Sequence, residues 1–157
     1  MLVAWRIVKT KYAASAFDGE GARLYGGRWT SPNRRVIYAA STLALATLEL
    51  VVHLDQTEPL AAYSVFKLGI PGELVANAGS ESLPRDWRAF PAPPILCKVG
   101  DDWLDAAAKA VLRVPSAVVG VEHNYLLNPV HRDFGRITIG PIQPYPVDER
   151  LLPHSRT

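Results

Sequence analysis

Residues Val36–Val52 read VIYAASTLALATLELVV, and Glu49 is the only charged residue in the run. Val36–Ala39 reads as a brief β-strand, and Ser41 is placed to cap a helix that continues to about Asp55. Apolar residues on nearly every side of that helix predict a central position in the domain. An ionised glutamate is almost never buried without a partner. Glu49 is therefore expected to face a pocket. Leu45, Glu49 and His53 stand at i, i+4 and i+8, so they share one helix face. His53 itself reads as a hydrogen-bonded core histidine.

Just upstream, residues 19–32 read GEGARLYGGRWTSP, in which four glycines surround Arg23, Tyr25, Arg28 and Trp29. Glycine permits close backbone approach, and guanidinium groups bind phosphate in a bidentate fork, so this loop suits a large anionic ligand. Arg28 is the better placed of the two arginines, between a flexible Gly pair and a bulky anchor. Arg6 interrupts the apolar strand Leu2–Val8, where an unpaired cation costs several kcal/mol. It is either the structural partner of Glu49 or a phosphate ligand. Tyr25 and Tyr38 offer faces for stacking on a heteroaromatic ring, and the neighbours of Tyr38 favour it.

The remainder reads as one compact α+β domain spanning residues 1–157, with short strands in mixed or antiparallel pairing and few helices. A long loop covers residues 9–35, with room for a turn of helix. Strands are expected at Leu60–Ile70, Ala110–Val114 and Arg136–Ile142. The segment Pro71–Pro94, with five prolines, is expected to be irregular. Asp101 or Asp102 is placed to cap a short helix ending near Ala108, with Trp103 and Leu104 facing inward.

Seventeen basic and fifteen acidic residues give a formal charge of +2. That is far from the one-signed field of most nucleic-acid binders. The single cysteine, Cys97, excludes an intramolecular disulfide. No signal-peptide pattern and no run of about 18 apolar residues is present, which predicts a soluble cytoplasmic protein. No H-E-x-x-H or similar ligand spacing occurs, so no metal is expected. Ser116, after Pro115, lacks a G-x-S-x-G elbow and reads as a hydroxyl that binds phosphate or amide rather than an acyl nucleophile. Asn124, Asn128 and His131 cluster in NYLLNPVH, and Asn128-Pro129 predicts a turn.

These pieces together resemble the RES-domain family, toxins of bacterial toxin–antitoxin pairs named for an Arg, a Glu and a Ser. The matching segments are WRIV, GEGARLYGGRWTSP, VIYAAST with LATLELVVH, GDDWL, LRVPSAVV and NYLLNPVHRDF, in the family's order from end to end. One departure is Arg132, where the family more often places Pro after the His.

The resemblance implies a fold related to ADP-ribosyltransferases and an enzyme that consumes NAD as substrate, with no further cofactor. It assigns the name-giving residues to Arg28, Glu49 and Ser116, and adds Tyr38 and Arg6 around the ligand. Arg6 and Arg28 would hold the diphosphate, and Tyr38 would pack against nicotinamide or its ribose. Glu49 would bond ribose hydroxyls and offset charge in an oxocarbenium-like transition state. Ser116 would bind the nicotinamide end or a phosphate, with His53 and Asn128 supporting from behind.

The expected outcome is cleavage of the nicotinamide–ribose bond by phosphate or water, NAD depletion and growth arrest. Mono-ADP-ribosylation of a cellular protein is the alternative within the enzyme class. A different class, a non-catalytic nucleic-acid-binding module, is disfavoured by the near-neutral charge. The family also implies a cognate antitoxin, of helix-turn-helix type, that blocks the cleft. Self-association stays open, and neither membrane attachment nor direct nucleic-acid binding is expected.

Overall fold

The computed structural model describes residues 1–55 and 61–152. Its eight strands are β1 (Leu2–Lys9), β2 (Ile37–Ala40), β3 (Tyr63–Ile70), β4 (Val75–Asn77), β5 (Val111–Pro115), β6 (His123–Leu127), β7 (Thr138–Ile139) and β8 (Gln143–Tyr145). The helices are α1 (Glu20–Tyr25), α2 (Leu43–Val52) and α3 (Leu96–Ala106), with short 3-10 turns between. One sheet runs in the order β4-β5-β6-β2-β1-β3-β7, and β8 also pairs with β3. Every pairing is antiparallel except β4 with β5. The α+β reading holds.

β4 forms inside the Pro-rich middle, where irregular chain was expected, and β6 forms just before the Asn128-Pro129 turn, in a stretch to which no strand was assigned. β6 occupies the sheet interior between β5 and β2. Tyr125, Leu126 and Leu127 are all buried, so the strand lacks the alternation that marks a half-exposed one. Of the expected late strand at 136–142 only the two residues of β7 are formed, with Pro141 removing a ladder donor soon after, and β8 follows beyond the expected span. The β3 expectation holds from Tyr63, while Leu60 lies outside the described residues.

Helix α2 is capped by Thr42, not Ser41: the Thr42 side chain accepts from the Leu45 N–H at 3.0 Å. It ends at Val52, three residues before Asp55, because the His53 ring takes the Glu49 carbonyl at 2.7 Å. Nor is it central. Leu45, Ala46 and Thr47 are buried, with Leu45 and Ala46 against Ala40, Trp5 and Ile7, while Leu48 and Val52 face outward at 39% and 57% exposure. The helix thus roofs one face of β1 and β2, and Thr47 bonds the Tyr145 hydroxyl of β8.

Helix α3 begins at Leu96, five residues before Asp101, so neither aspartate caps it. Gly100 sits mid-helix for a packing reason. Its N–H donates to the Trp29 carbonyl at 3.0 Å, and a Cβ there would meet that oxygen at 2.0 Å. Trp103 is buried as expected, in a cluster with Trp29, Leu96 and Leu126 against which Leu104 packs. Burying each such large apolar side chain contributes about 1.5–3 kcal/mol.

Candidate functional site

Between the α2 roof and β1/β2 lies a cleft of about 630 Å³, lined in part by Arg6, Arg28, Tyr38, Glu49, His53 and Asn124. That volume falls within the roughly 300–1,000 Å³ common to ligand pockets.

Glu49, half-buried, is fixed through one oxygen. Its Oε1 accepts from Ser116 Oγ and from Asn124 Nδ2, each at 2.8 Å. Ser116 Oγ in turn accepts from the N–H groups of Val118 and Val119, at 3.1 and 3.0 Å. The turn after β5 therefore orients the serine, and the serine orients the carboxylate. Oε2 has no hydrogen-bond partner among the described residues, which leaves it available to a ligand.

Arg28 reaches the same cleft from the 26–32 loop. That loop is fastened to α3 by Asp101, which accepts from the Ser31 N–H at 3.0 Å and from Ser31 Oγ at 2.6 Å. Gly27 is required beneath it, since a Cβ would meet the Tyr38 hydroxyl at 2.7 Å. Arg28 Nη1 donates to the carbonyls of Trp87 and Ala89 at 2.9 and 3.0 Å. Partial burial lowers its pKa from the usual arginine value, and the Glu49 charge opposes that shift. Arg28 and Glu49 thus share the cleft with opposite charges but no direct ion pair.

Arg6 is not the partner of Glu49. β1 and β2 register only at Trp5 and Ala40, and beyond that point the guanidinium fills the gap between the strands. Its Nη1 donates to the Tyr38 carbonyl and its Nε to the Ala16 carbonyl, both at 2.8 Å. Desolvation lowers its pKa to about 10, with Asp18 opposing. It still borders the cleft, and also a second one of about 570 Å³ towards Tyr12 and Tyr25. Tyr38 lies between Arg6 and Thr30, its hydroxyl 3.2 Å from Thr30 Oγ1, and burial raises its pKa.

Other expectations are redrawn. Ser116 is fully buried behind Glu49 and does not line the cleft, so it is placed to position the acid rather than to touch a ligand. Asn128 is a turn residue whose Oδ1 accepts from the Val130 N–H at 3.1 Å, and it too lies outside the cleft. His53 is exposed at the cleft rim rather than in the core. Arg23 pairs with Glu20 on α1, and Tyr25 is 83% exposed beside the second cleft. Asn124 is the residue that sequence reasoning undervalued. Its signal was position: it is the polar residue at the start of an apolar run, where a strand end meets a site. Among the described residues no group of three or more His, Cys, Asp or Glu is placed to hold a metal, and no helix is long and apolar enough to cross a membrane.

Comparison with known proteins places the chain in a family. The RES domain profile matches residues 3–148, and the chain belongs to the RES-domain toxin family. It is 36% identical over 152 residues to the protein named Toxin Res of Yersinia enterocolitica, covering 96% of this chain and 99% of that protein. It is 37% identical over 154 residues to the Prs ADP-ribosylating toxin of Sphingobium sp. (strain YBL2), covering 94% of this chain and 95% of that protein. In fold it resembles a chain in the crystal structure of the M. tuberculosis MbcT–MbcA toxin–antitoxin complex. The TM-score is 0.75 at 19% identity, over 92% of this chain and 84% of that one.

Proposed function

We propose that the α2–β1/β2 cleft binds NAD and cleaves its nicotinamide–ribose bond, and that the chain is the toxin of a toxin–antitoxin pair that drains NAD. The observation carrying this is Glu49: a carboxylate with one oxygen held by Ser116 and Asn124, the other open to a cleft it shares with Arg28.

The chemistry follows from what each group offers. NAD joins an anionic diphosphate to a cationic nicotinamide, so its leaving group departs neutral without a general acid. As the bond lengthens, positive charge develops on the ribose. Glu49 Oε2 stabilises that charge and accepts from the ribose hydroxyls, which costs little reorganisation because Oε1 is already fixed. Arg28 keeps the strap carbonyls on Nη1 and offers its remaining N–H groups to the diphosphate. Tyr38 and Trp5 line the wall beside the reacting ring, and Arg6 adds positive potential at the gap between β1 and β2. The electron pair of the broken C–N bond leaves with nicotinamide, and an acceptor attacks the ribosyl cation.

Phosphate or water ranks first as acceptor. A protein side chain is the second reading, favoured by the name of the Sphingobium relative. An antitoxin covering the cleft completes the proposal, supported by the fold shared with a toxin–antitoxin complex. Incubating the protein with NAD, with and without inorganic phosphate, and weighing the products tests the order. Nicotinamide with free ADP-ribose or its 1-phosphate is expected. ADP-ribose attached to a cellular protein, with little loss of free NAD, reverses the ranking.

A further inference from the structure

Residues Pro84–Pro91 form a strap along the cleft, and most of its contacts serve to fix it. Trp87 packs against Trp29, ring centroids 6.5 Å apart. Arg28 grips the carbonyls of Trp87 and Ala89. Arg88 donates from Nε to the Ala117 carbonyl at 3.1 Å and from Nη2 to the Val118 carbonyl at 3.3 Å. Phe90 is the exception. It is 89% exposed, yet its backbone is held next to a carbonyl that Arg28 binds, and it is among the residues that line the cleft.

A bare phenylalanine held in water at the edge of an anion-binding cleft has a natural use: its ring is a flat apolar face presented at no ordering cost. Its location narrows the ligand. The cleft lining includes Tyr38, Glu49 and Asn124, which the proposed reading gives to the nicotinamide end, and also Arg88 and Phe90 of the strap. A diphosphate on Arg28 would leave the strap residues to its other arm. Resting on the proposed NAD reading, we infer that Phe90 is the stacking platform for the adenine base, with the strap fixing it relative to Arg28. Phe90 is a binding and specificity residue that makes no contact with the reacting ribose. The cleft then distinguishes dinucleotides from mononucleotides at the end remote from the chemistry.

Calorimetric titration of the wild type, Phe90→Ala and Phe90→Trp with ADP-ribose and with nicotinamide mononucleotide tests this. ADP-ribose carries the adenine and has no nicotinamide to lose, whereas the mononucleotide lacks the adenine. Loss of base–aromatic stacking is expected to weaken ADP-ribose binding about tenfold in Phe90→Ala. The mononucleotide should be unaffected, and Phe90→Trp should bind ADP-ribose as the wild type does. Unchanged ADP-ribose affinity in Phe90→Ala, or equal losses for both ligands, overturns the inference. Wild-type protein that binds neither ligand overturns the NAD reading itself and the inference with it.

Discussion

Ser116 and Asn124, one in the turn after β5 and the other on β6, donate to the same oxygen of Glu49 at the same distance of 2.8 Å. The carboxylate is therefore steered by two elements outside its own helix. A rotamer change at Glu49 must break two charge-assisted bonds, which are about twice as strong as neutral ones.

Removing one of those donors should separate catalysis from binding. In Ser116→Ala the acid loses one restraint and the Val118 and Val119 N–H groups lose their acceptor. We expect kcat to fall about tenfold to a hundredfold with KM for NAD little changed. Stability should drop by about 1–3 kcal/mol, since buried donors are left unpaired. Steady-state kinetics and urea denaturation check both. A large rise in KM at unchanged kcat would show Ser116 to be a ligand contact instead.

Toxicity should require Glu49 and Arg28 together. Induced expression of the wild type is expected to arrest growth and deplete cellular NAD, and Glu49→Ala or Arg28→Ala to do neither. Arg28→Lys keeps the charge but lacks the planar fork that meets phosphate oxygens and the strap carbonyls, so it should recover only part of the activity. Growth curves with NAD measured by enzymatic cycling give the answer.

The contact between Gly100 and the Trp29 carbonyl predicts a stability defect remote from the chemistry. Gly100→Ala places a methyl at 2.0 Å from that oxygen. Overpacking of this kind costs typically about 1–3 kcal/mol. A lower urea midpoint is expected, together with reduced NAD turnover, because the displaced loop carries Arg28.

His123 should make the fold sensitive to mild acid. Burial, and then the Arg113 guanidinium, whose Nη2 lies 3.0 Å from His123 Nδ1, lower its pKa, while Glu122 opposes them. Folding thus favours the neutral ring. Below about pH 6.5 the unfolded chain takes up the proton first, so stability contributed by neutral His123 is present above that pH and lost as pH falls. Urea midpoints between pH 7.5 and 5 should decline more steeply in the wild type than in His123→Gln.

The residues of the candidate cleft stood out in the sequence more than the architecture did. Glu49 was conspicuous because a charge in an apolar run needs a reason, and Arg28 because glycines and a tryptophan fixed it. Strand β6 was missed because a strand buried on both faces looks like a short apolar stretch. Two aspartates obscured the start of α3, because each is a good capping residue, and Gly100 just before them is in fact the point where the arginine loop rests on the helix. The role of Ser116 depended on a tertiary contact. Its type predicted hydrogen bonding, but only the arrangement of α2 against the turn after β5 places Glu49 as its acceptor.

Arg28 and Arg88 fasten the strap by its main-chain oxygens and by those of the facing turn. Peptide oxygens exist whatever the side chains, so this attachment is indifferent to composition between the anchor points. Natural or engineered exchange at residue 90 can retune what the rim recognises while leaving the acid and its supports untouched. Evolution of specificity is thereby uncoupled from upkeep of the reaction centre.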